Sequence, residues 1–300
     1  MAEWKDLEIG AVRQLLAEMS PIDTPNLTFA ERRPGMDAFG EAAPLPEGVQ
    51  VEKLELGGRP AERIVPRGAD LTKVLLYLHG GGYCIGSPTS HRGLIARLAQ
   101  AAGVTALVPD YRMAPEDPFP AAVDDAVAAY RQVVSNADPK DVVIAGDSAG
   151  GGLAFATAIA ARDAGLPMPA GLVTISPWAN LANTGKAYAA KAATDPMINQ
   201  ANIDEFAAAY LAGQATASPL ASPVHADLKG LPPVLIQVGS EEVLMSDSIA
   251  MAEGLGLAGV DVTLRIWPEM IHVWHFFAFQ LAAGRAASDE AAAWIKARTA

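Results

Sequence analysis

Short apolar runs along this chain alternate with longer stretches of helical periodicity. The runs predict strands at residues 49–56, 61–66, 73–78, 104–109, 141–146, 171–176, 233–239 and 260–267. The periodic stretches predict helices near residues 3–19, 89–102, 120–135, 148–164, 247–257 and 285–298. Strands that alternate with helices form a mostly parallel sheet covered on both faces, so the pattern predicts an α/β fold.

Two segments interrupt this alternation. Residues 20–48 are rich in Pro and Gly and have weak periodicity, which suits either a flexible lead-in or part of a lid. Residues 178–217 are rich in Ala, with a helical patch at 202–212 and no clear strand, and we interpret them as an inserted cap. Five large side chains of this segment are candidates for lining a pocket or filling the core of the cap: Trp178, Tyr188, Met197, Phe206 and Tyr210.

Composition limits the partners and the compartment. The 300 residues are 51% hydrophobic, and a net charge of −12 disfavours nucleic acid and anionic membrane surfaces as partners. Cys84 is the single cysteine, which excludes an intrachain disulfide. Residues 1–8 carry charges where a signal peptide needs an apolar core, and no apolar run approaches the length of about 18 residues that a membrane span needs. We therefore expect a soluble, cytoplasmic protein that acts on a neutral small molecule.

The strongest chemical motif is a strand-to-helix turn around Ser148. The predicted strand 141–146 leads into Gly146-x-Ser148-x-Gly150, and an Ala-rich helical stretch follows. A tight turn leaves no room for side chains on either side of the serine, which explains the flanking glycines. A serine hydroxyl needs a neighbouring base before it can act as a nucleophile, so the rest of the chain has to supply one.

Histidines and carboxylates near the C-terminus could complete this site. Of the five histidines, only His272 and His275 follow the last predicted strand, and His272 is nearer to the end of that strand. An acid that orients the imidazole should lie just after the strand 233–239, where Glu241, Glu242 and Asp247 compete. Asp247 is also placed to cap the following helix. The local sequence does not separate the three carboxylates.

The stretch His-Gly-Gly-Gly at residues 79–82 follows a predicted buried strand. Glycines let backbone N–H groups approach a substrate, so this loop suits an oxyanion hole, and the N–H of Ala149 in the turn adds one donor. A phosphate cradle is the alternative, but no Lys or Thr follows as in a phosphate-binding loop.

Three motifs together resemble the hormone-sensitive lipase-like carboxylesterases, the bacterial family IV esterases of the α/β-hydrolase superfamily. They are His-Gly-Gly-Gly-Tyr at residues 79–83, Asp-Tyr-Arg-Met-Ala-Pro-Glu at 110–116 and Gly-Asp-Ser-Ala-Gly-Gly at 146–151. Their order and spacing extend the resemblance from about residue 45 to the C-terminus.

The resemblance implies one α/β-hydrolase domain over residues 1–300, with a mostly parallel eight-stranded sheet flanked by helices. A helical cap would comprise about 1–45 and 178–217, and the catalytic core about 46–177 and 218–300. The resemblance also implies Gly81, Gly82 and Ala149 as oxyanion donors, and His79 as a structural histidine that braces their loop. Many members carry the acid in an Asp-Pro-Leu turn, which this chain lacks; it resembles the branch in which a glutamate takes that role, which points to Glu242.

The expected function is hydrolysis of short- to medium-chain acyl esters through an acyl-enzyme, with Ser148, His272 and Glu242 as the triad. No cofactor or metal is expected, because the chain has no His-x-x-x-His or Cys-x-x-Cys spacing. Amide, formamide or lactone hydrolysis by the same triad is an alternative. A non-catalytic binding protein, as in plant hormone receptors of this fold that lost the triad histidine, is disfavoured by His272. The strand 260–267 could pair across the axis of a homodimer.

Overall fold

A computed structural model describes residues 7–19 and 27–300 of the chain. Its sheet has eight strands: β1 Val49–Leu56, β2 Arg59–Pro66, β3 Asp70–Leu78, β4 Val104–Pro109, β5 Val142–Asp147, β6 Gly171–Ile175, β7 Val234–Gly239 and β8 Val262–Trp267. Their order in the sheet is β1-β2-β4-β3-β5-β6-β7-β8. Strand β2 runs antiparallel to both of its neighbours, β1 and β4, and all other neighbouring pairs are parallel. The predicted mostly parallel sheet is therefore confirmed.

Helices cover both faces of this sheet. They are α1 Leu7–Met19, α2 Phe29–Glu41, α3 Pro88–Ala102, α4 Ala121–Val134, α5 Ala149–Asp163, α6 Lys186–Ala190, α7 Gln200–Leu211, α8 Met245–Leu257 and α9 Ala282–Arg298. Alternate residues of a strand point to opposite faces. Leu75 and Tyr77 of β3 accordingly pack with α3 and α9, whereas Leu76 and Leu78 pack with α4, α5 and α8. Among the described residues, no helix is long and apolar enough to cross a bilayer.

The N-terminal segment is more ordered than its sequence pattern indicates. The helix predicted over 3–19 is present as α1 from Leu7, and residues 3–6 of that prediction lie outside the described residues. Helix α2 was not predicted, because Pro34 and an adjacent glycine weaken its periodicity. A reciprocal capping box between Thr28 and Glu31 begins this helix and satisfies backbone donors that its first turn leaves free.

The interruption at residues 178–217 contains α6 and α7, and no strand forms within this fully described segment. Arg32 of α2 makes a bidentate ion pair with Glu205 of α7. The rings of Phe29 and Phe206 lie 4.9 Å apart beside this pair. Helix α2 and the insertion therefore pack together above the carboxyl ends of the central strands. Strand β8 lies at the edge of the sheet, and its pairing across a dimer axis stays a prediction.

Candidate active site

Ser148 lies between the end of β5 and the start of α5, with a positive φ of 53° that is uncommon for a residue other than Gly. Both flanking glycines are required by the space around this turn. A Cβ atom on Gly146 would lie 2.2 Å from the carbonyl oxygen of Gly150, and one on Gly150 would lie 2.0 Å from that of Leu78. The turn thus holds the serine at the carboxyl edge of the sheet, where it lines a cavity.

His272 lines the same cavity and lies in the loop after β8. Its Nδ1 is 2.8 Å from Oε2 of Glu242, in the turn after β7, and both side chains are buried. Burial lowers the pKa of His272, but the hydrogen bond to Glu242 and its negative charge outweigh that effect, so the net pKa is raised above the ordinary value. Because Nδ1 faces the carboxylate, Nε2 is left as the basic nitrogen.

The other two carboxylates have different partners. Glu241 pairs with Lys191 at 3.2 Å. Asp247 accepts hydrogen bonds from the backbone N–H groups of Ala179 and Asn180, each at 2.9 Å. The interpretation of Asp247 as a cap of its own helix is wrong, since α8 has no side-chain cap and this carboxylate holds the start of the insertion. Of the three competing acids, only Glu242 has a hydrogen bond to His272 among the described contacts.

His275, the alternative histidine, does not face the cavity. It is buried, with Nε2 at 2.9 Å from Oε1 of Gln237 on β7. Burial lowers its pKa to about 3, so the ring stays neutral in the physiological range. These contacts give His275 a structural place in the core.

Gly81 and Gly82 line the cavity from the loop after β3 and have positive φ angles of 109° and 62°. A Cβ on Gly81 would lie 2.1 Å from the carbonyl oxygen of Ile85, and one on Gly82 would lie 2.2 Å from the Phe206 ring. Ala149 begins α5 directly after Ser148. The three predicted backbone donors are therefore on the two loops that flank the serine.

A buried polar network fastens the glycine loop to the serine turn. Asp147 accepts hydrogen bonds from the Tyr77 hydroxyl at 2.9 Å and from the Gly80 N–H at 3.2 Å, and its other oxygen lies 3.3 Å from Nε2 of His91. Burial raises the pKa of Asp147, but its interactions with His91 and the hydrogen bond from Tyr77 outweigh that effect, so the net pKa is lowered. His79 stacks on Tyr111 with ring centroids 4.2 Å apart, which fits a bracing role for this histidine.

The cavity has a volume of about 70 Å³ and mostly apolar walls. Of the large side chains predicted as candidates, Trp178, Met197 and Phe206 line it, whereas Tyr188 and Tyr210 are buried elsewhere in the insertion. Among the described residues, no Lys or Arg contributes to its walls, and no three His, Cys, Asp or Glu side chains are grouped as a metal site. The site thus combines a serine, an imidazole and a carboxylate with an apolar binding space.

A family model described as the alpha/beta hydrolase fold matches residues 75–276. The chain belongs to the α/β-hydrolase family. A crystal structure of an esterase from the bacterial hormone-sensitive lipase family aligns with this hydrolase over 100% of both chains, with a TM-score of 0.95 and 41% identity. The predicted resemblance to hormone-sensitive lipase-like esterases is thereby confirmed.

Two relatives of this hydrolase are similar over most of their length. An acetyl-hydrolase of Streptomyces hygroscopicus is 48% identical over 264 residues, which cover 88% of this chain and 87% of that protein. The carboxylesterase NlhH of Mycobacterium tuberculosis is 37% identical over 241 residues, covering 76% of this chain and 74% of that protein. The similarity therefore includes the insertion as well as the sheet.

Sequence reasoning missed several side chains of the hydrolase's site, and three of them show why. Met36 of α2 lines the cavity, Asp195 of the insertion accepts a hydrogen bond from the Val243 N–H at 3.0 Å, and Ser176 contacts Glu242. Each belongs to a segment distant in sequence from the residues it contacts. No local pattern marks them, because only the folded chain brings these segments together.

Proposed function

We propose that this chain is a serine carboxylesterase that hydrolyses short- to medium-chain acyl esters through an acyl-enzyme intermediate. The observation that carries the proposal is the 2.8 Å contact between Glu242 and His272, with His272 and Ser148 lining one cavity. A serine, a histidine and an acid in that chain order are the triad of this fold. The names of the esterase relatives are consistent with the same chemistry.

In the acylation step, Oγ of Ser148 attacks the ester carbonyl carbon while Nε2 of His272 takes its proton. Glu242 accepts the Nδ1–H hydrogen bond, which fixes the tautomer and stabilises the imidazolium that forms. The carbonyl oxygen becomes negatively charged, and the N–H groups of Gly81, Gly82 and Ala149 are the donors we assign to it. The bond to the leaving oxygen then breaks, and the alcohol departs with the proton from His272.

In the deacylation step, water attacks the acyl carbon and gives a proton to His272. The second tetrahedral intermediate uses the same backbone donors. Its collapse breaks the bond to Oγ, returns the proton to Ser148 and releases the carboxylic acid. In both steps, His272 is the group that accepts and then donates the proton.

We assign the binding of the acyl and alcohol groups to a helical cap of about residues 1–45 and 178–217 over a core of 46–177 and 218–300. Met36 from the first part of the cap and Ile203 from the second line the cavity together. The small volume and apolar walls suit short acyl chains, and the net charge of −12 favours neutral esters over anionic ones.

Replacement of the nucleophile tests this function. Ser148→Ala should lower kcat on p-nitrophenyl acetate and butyrate by roughly four to six orders of magnitude, because the acyl-enzyme cannot form. Ser135→Ala changes an exposed serine at the end of α4 and should keep the parent activity. A fluorophosphonate should label the parent and Ser135→Ala but not Ser148→Ala. Full activity of Ser148→Ala would refute the mechanism.

A substrate panel tests the bond that is cleaved. Acetate and butyrate esters should be hydrolysed much faster than matched anilides, since the leaving alcohol of an ester needs less protonation than an amine. Lactones, which also expel an alcohol oxygen, are the second comparison in the panel. Faster turnover of the amide or the lactone would reassign the same triad to that substrate class.

A further inference from the structure

Ser176 follows β6 directly and is fully buried. Its backbone is left-handed, with φ 48°, a conformation that is uncommon for a residue other than Gly. Residues held in this region persist only where their surroundings stabilise them, and they are concentrated at functional sites. The hydrogen bonds of this residue explain what stabilises it.

The Ser176 hydroxyl connects the loop of the acid with the loop of the histidine. It donates to Oε1 of Glu242 at 2.8 Å and accepts from the N–H of Val273 at 3.2 Å. Val273 directly follows His272, is itself left-handed with φ 45°, and is buried. One hydroxyl therefore fixes the carboxylate on one side and the backbone beside the imidazole on the other.

The backbone at this point reaches the remaining segments of the site. The carbonyl oxygen of Ile175 accepts from the N–H of Ser148 at 2.9 Å, and the N–H of Ser176 donates to the Gln237 carbonyl oxygen at 2.7 Å. Gln237 lies on β7, the strand that leads into the turn of the acid. The dipeptide 175–176 thus contacts the segments that carry all three proposed triad members.

We propose that Ser176 is a positioning residue that holds the Glu242 carboxylate and the His272 imidazole in their relative positions. The Glu242 carboxylate can rotate about its terminal bond unless one oxygen is occupied. Donation to Oε1 from Ser176 and from the Gly239 N–H directs Oε2 to the imidazole. This inference rests on the proposed serine esterase mechanism.

Two substitutions separate the hydroxyl from the backbone conformation. Ser176→Ala removes the hydroxyl and keeps the Cβ atom, whereas Ser176→Gly removes the hydroxyl and also relieves the left-handed strain. Thr174→Val is the matched control, because Thr174 is a fully buried residue on β6 whose hydroxyl has no hydrogen-bond partner in the described part of the chain.

The measurements are kcat and KM for p-nitrophenyl acetate, the pH dependence of kcat/KM, and Tm. Both Ser176 variants should lose about 10- to 100-fold in kcat, with KM changed by less than about threefold, as expected for loss of a hydrogen bond to a charged group. The acid limb of kcat/KM should move to lower pH, since a loosened Glu242 raises the pKa of His272 less. Thr174→Val should keep the parent kcat and pH profile.

Three outcomes would overturn this assignment. They are a parent-like kcat in either Ser176 variant, a fall in kcat without movement of the acid limb, and an equal fall in Thr174→Val. If Ser176→Ala does not fold, the same criteria apply to Ser176→Gly, which carries no strained side chain. Ser148→Ala on the same substrate separates the two claims, because full activity of that variant would refute the esterase mechanism itself.

Discussion

A single hydrogen bond distinguishes Glu242 from the carboxylates around it. Glu242 is fully buried and directs Oε2 at Nδ1 of His272, whereas the adjacent Glu241 points outward to Lys191. A buried carboxylate is costly unless its oxygens are hydrogen-bonded, and Glu242 has such partners on both oxygens. Its hydrogen bond to Nδ1 and its negative charge are the main reasons that the pKa of the buried imidazole is raised.

Replacing the acid should change both rate and pH profile. Glu242→Gln should lower kcat by about 10⁴-fold, because the amide no longer selects the catalytic tautomer of His272. In the parent enzyme the base must be neutral, so kcat/KM rises with pH through a midpoint above 6.5, the ordinary value for His. In Glu242→Gln the opposing effect of burial predominates and the midpoint falls.

Glu241→Gln is the control for this pair, since it removes a neighbouring charge on the same turn. It should leave kcat within a few-fold of the parent, because Glu241 contacts Lys191 and not the imidazole. Equal losses in both variants, measured by steady-state kinetics from pH 5 to pH 9, would contradict the assignment of the acid.

The secondary-structure elements place the site by their order in the sheet. Strands β3, β5, β6, β7 and β8 are consecutive and parallel neighbours. Their carboxyl ends lie at one edge, where ligands bind in open α/β sheets. The glycine loop, Ser148, Ser176, Glu242 and His272 follow these five strands in the same order. Adjacent strands thus bring together residues that are far apart in sequence.

Helix α8 carries a buried acid whose titration should affect stability. Burial raises the pKa of Asp247 to about 7, although it accepts hydrogen bonds from Ala179 and Asn180. Because the folded pKa exceeds the ordinary value of 3.8, this group stabilises the fold most at low pH, and its contribution is lost as pH rises through about 7.

Asp247→Asn should remove this pH dependence. The amide oxygen can accept the same two backbone hydrogen bonds, and the amide nitrogen can donate to the Tyr188 hydroxyl. The free energy of unfolding of the variant relative to the parent should therefore rise by on the order of 1–4 kcal/mol between pH 5 and pH 8. Urea titrations at both pH values measure it, and a constant difference would contradict the raised pKa.

At the scale of the whole molecule, two distant segments form the cover of the site. Arg32 of α2 is 5% exposed and pairs with Glu205 of α7, which is 45% exposed. Arg13 of α1 donates to the Thr194 carbonyl oxygen at 2.6 Å, in the same insertion. Asp195 then connects the insertion to the turn of the acid through the Val243 N–H. The insertion therefore contacts the turn that carries Glu242.

Loosening the contact between α2 and α7 should affect substrate binding more than the chemical step. Arg32→Met keeps an apolar stem but removes the ion pair, so amide hydrogen exchange in Gln200–Leu211 should become on the order of tenfold faster. KM for p-nitrophenyl butyrate should rise several-fold, with kcat nearly unchanged. Arg63→Met removes an exposed ion pair with Glu52 on the β1–β2 hairpin and should change neither quantity. Unchanged amide hydrogen exchange in Arg32→Met would contradict the role of this ion pair in holding α7 against α2.

Local patterns in the sequence were sufficient for the parallel sheet, the turn of Ser148, the glycine loop and the choice of the loop that holds His272. Each depends on periodicity, on glycine geometry or on position after a strand, which neighbouring residues determine. Helix α2 was missed because its Pro and Gly hide the periodicity, while its capping box and its packing against α7 stabilise it. The predicted and observed ends of the strands differ by up to a few residues, because pairing with a neighbouring strand, and not the local sequence, decides where a strand stops.

Tertiary structure decided the contacts between segments. From local sequence, Glu241, Glu242 and Asp247 were equivalent candidates, and resemblance alone favoured Glu242. Folding buries Glu242 against an imidazole 30 residues away and against Ser176, 66 residues away in the other direction. Such contacts depend on which strands are neighbours in the sheet and on which polar groups lose water together. The periodicity of the sequence contains information on neither of these.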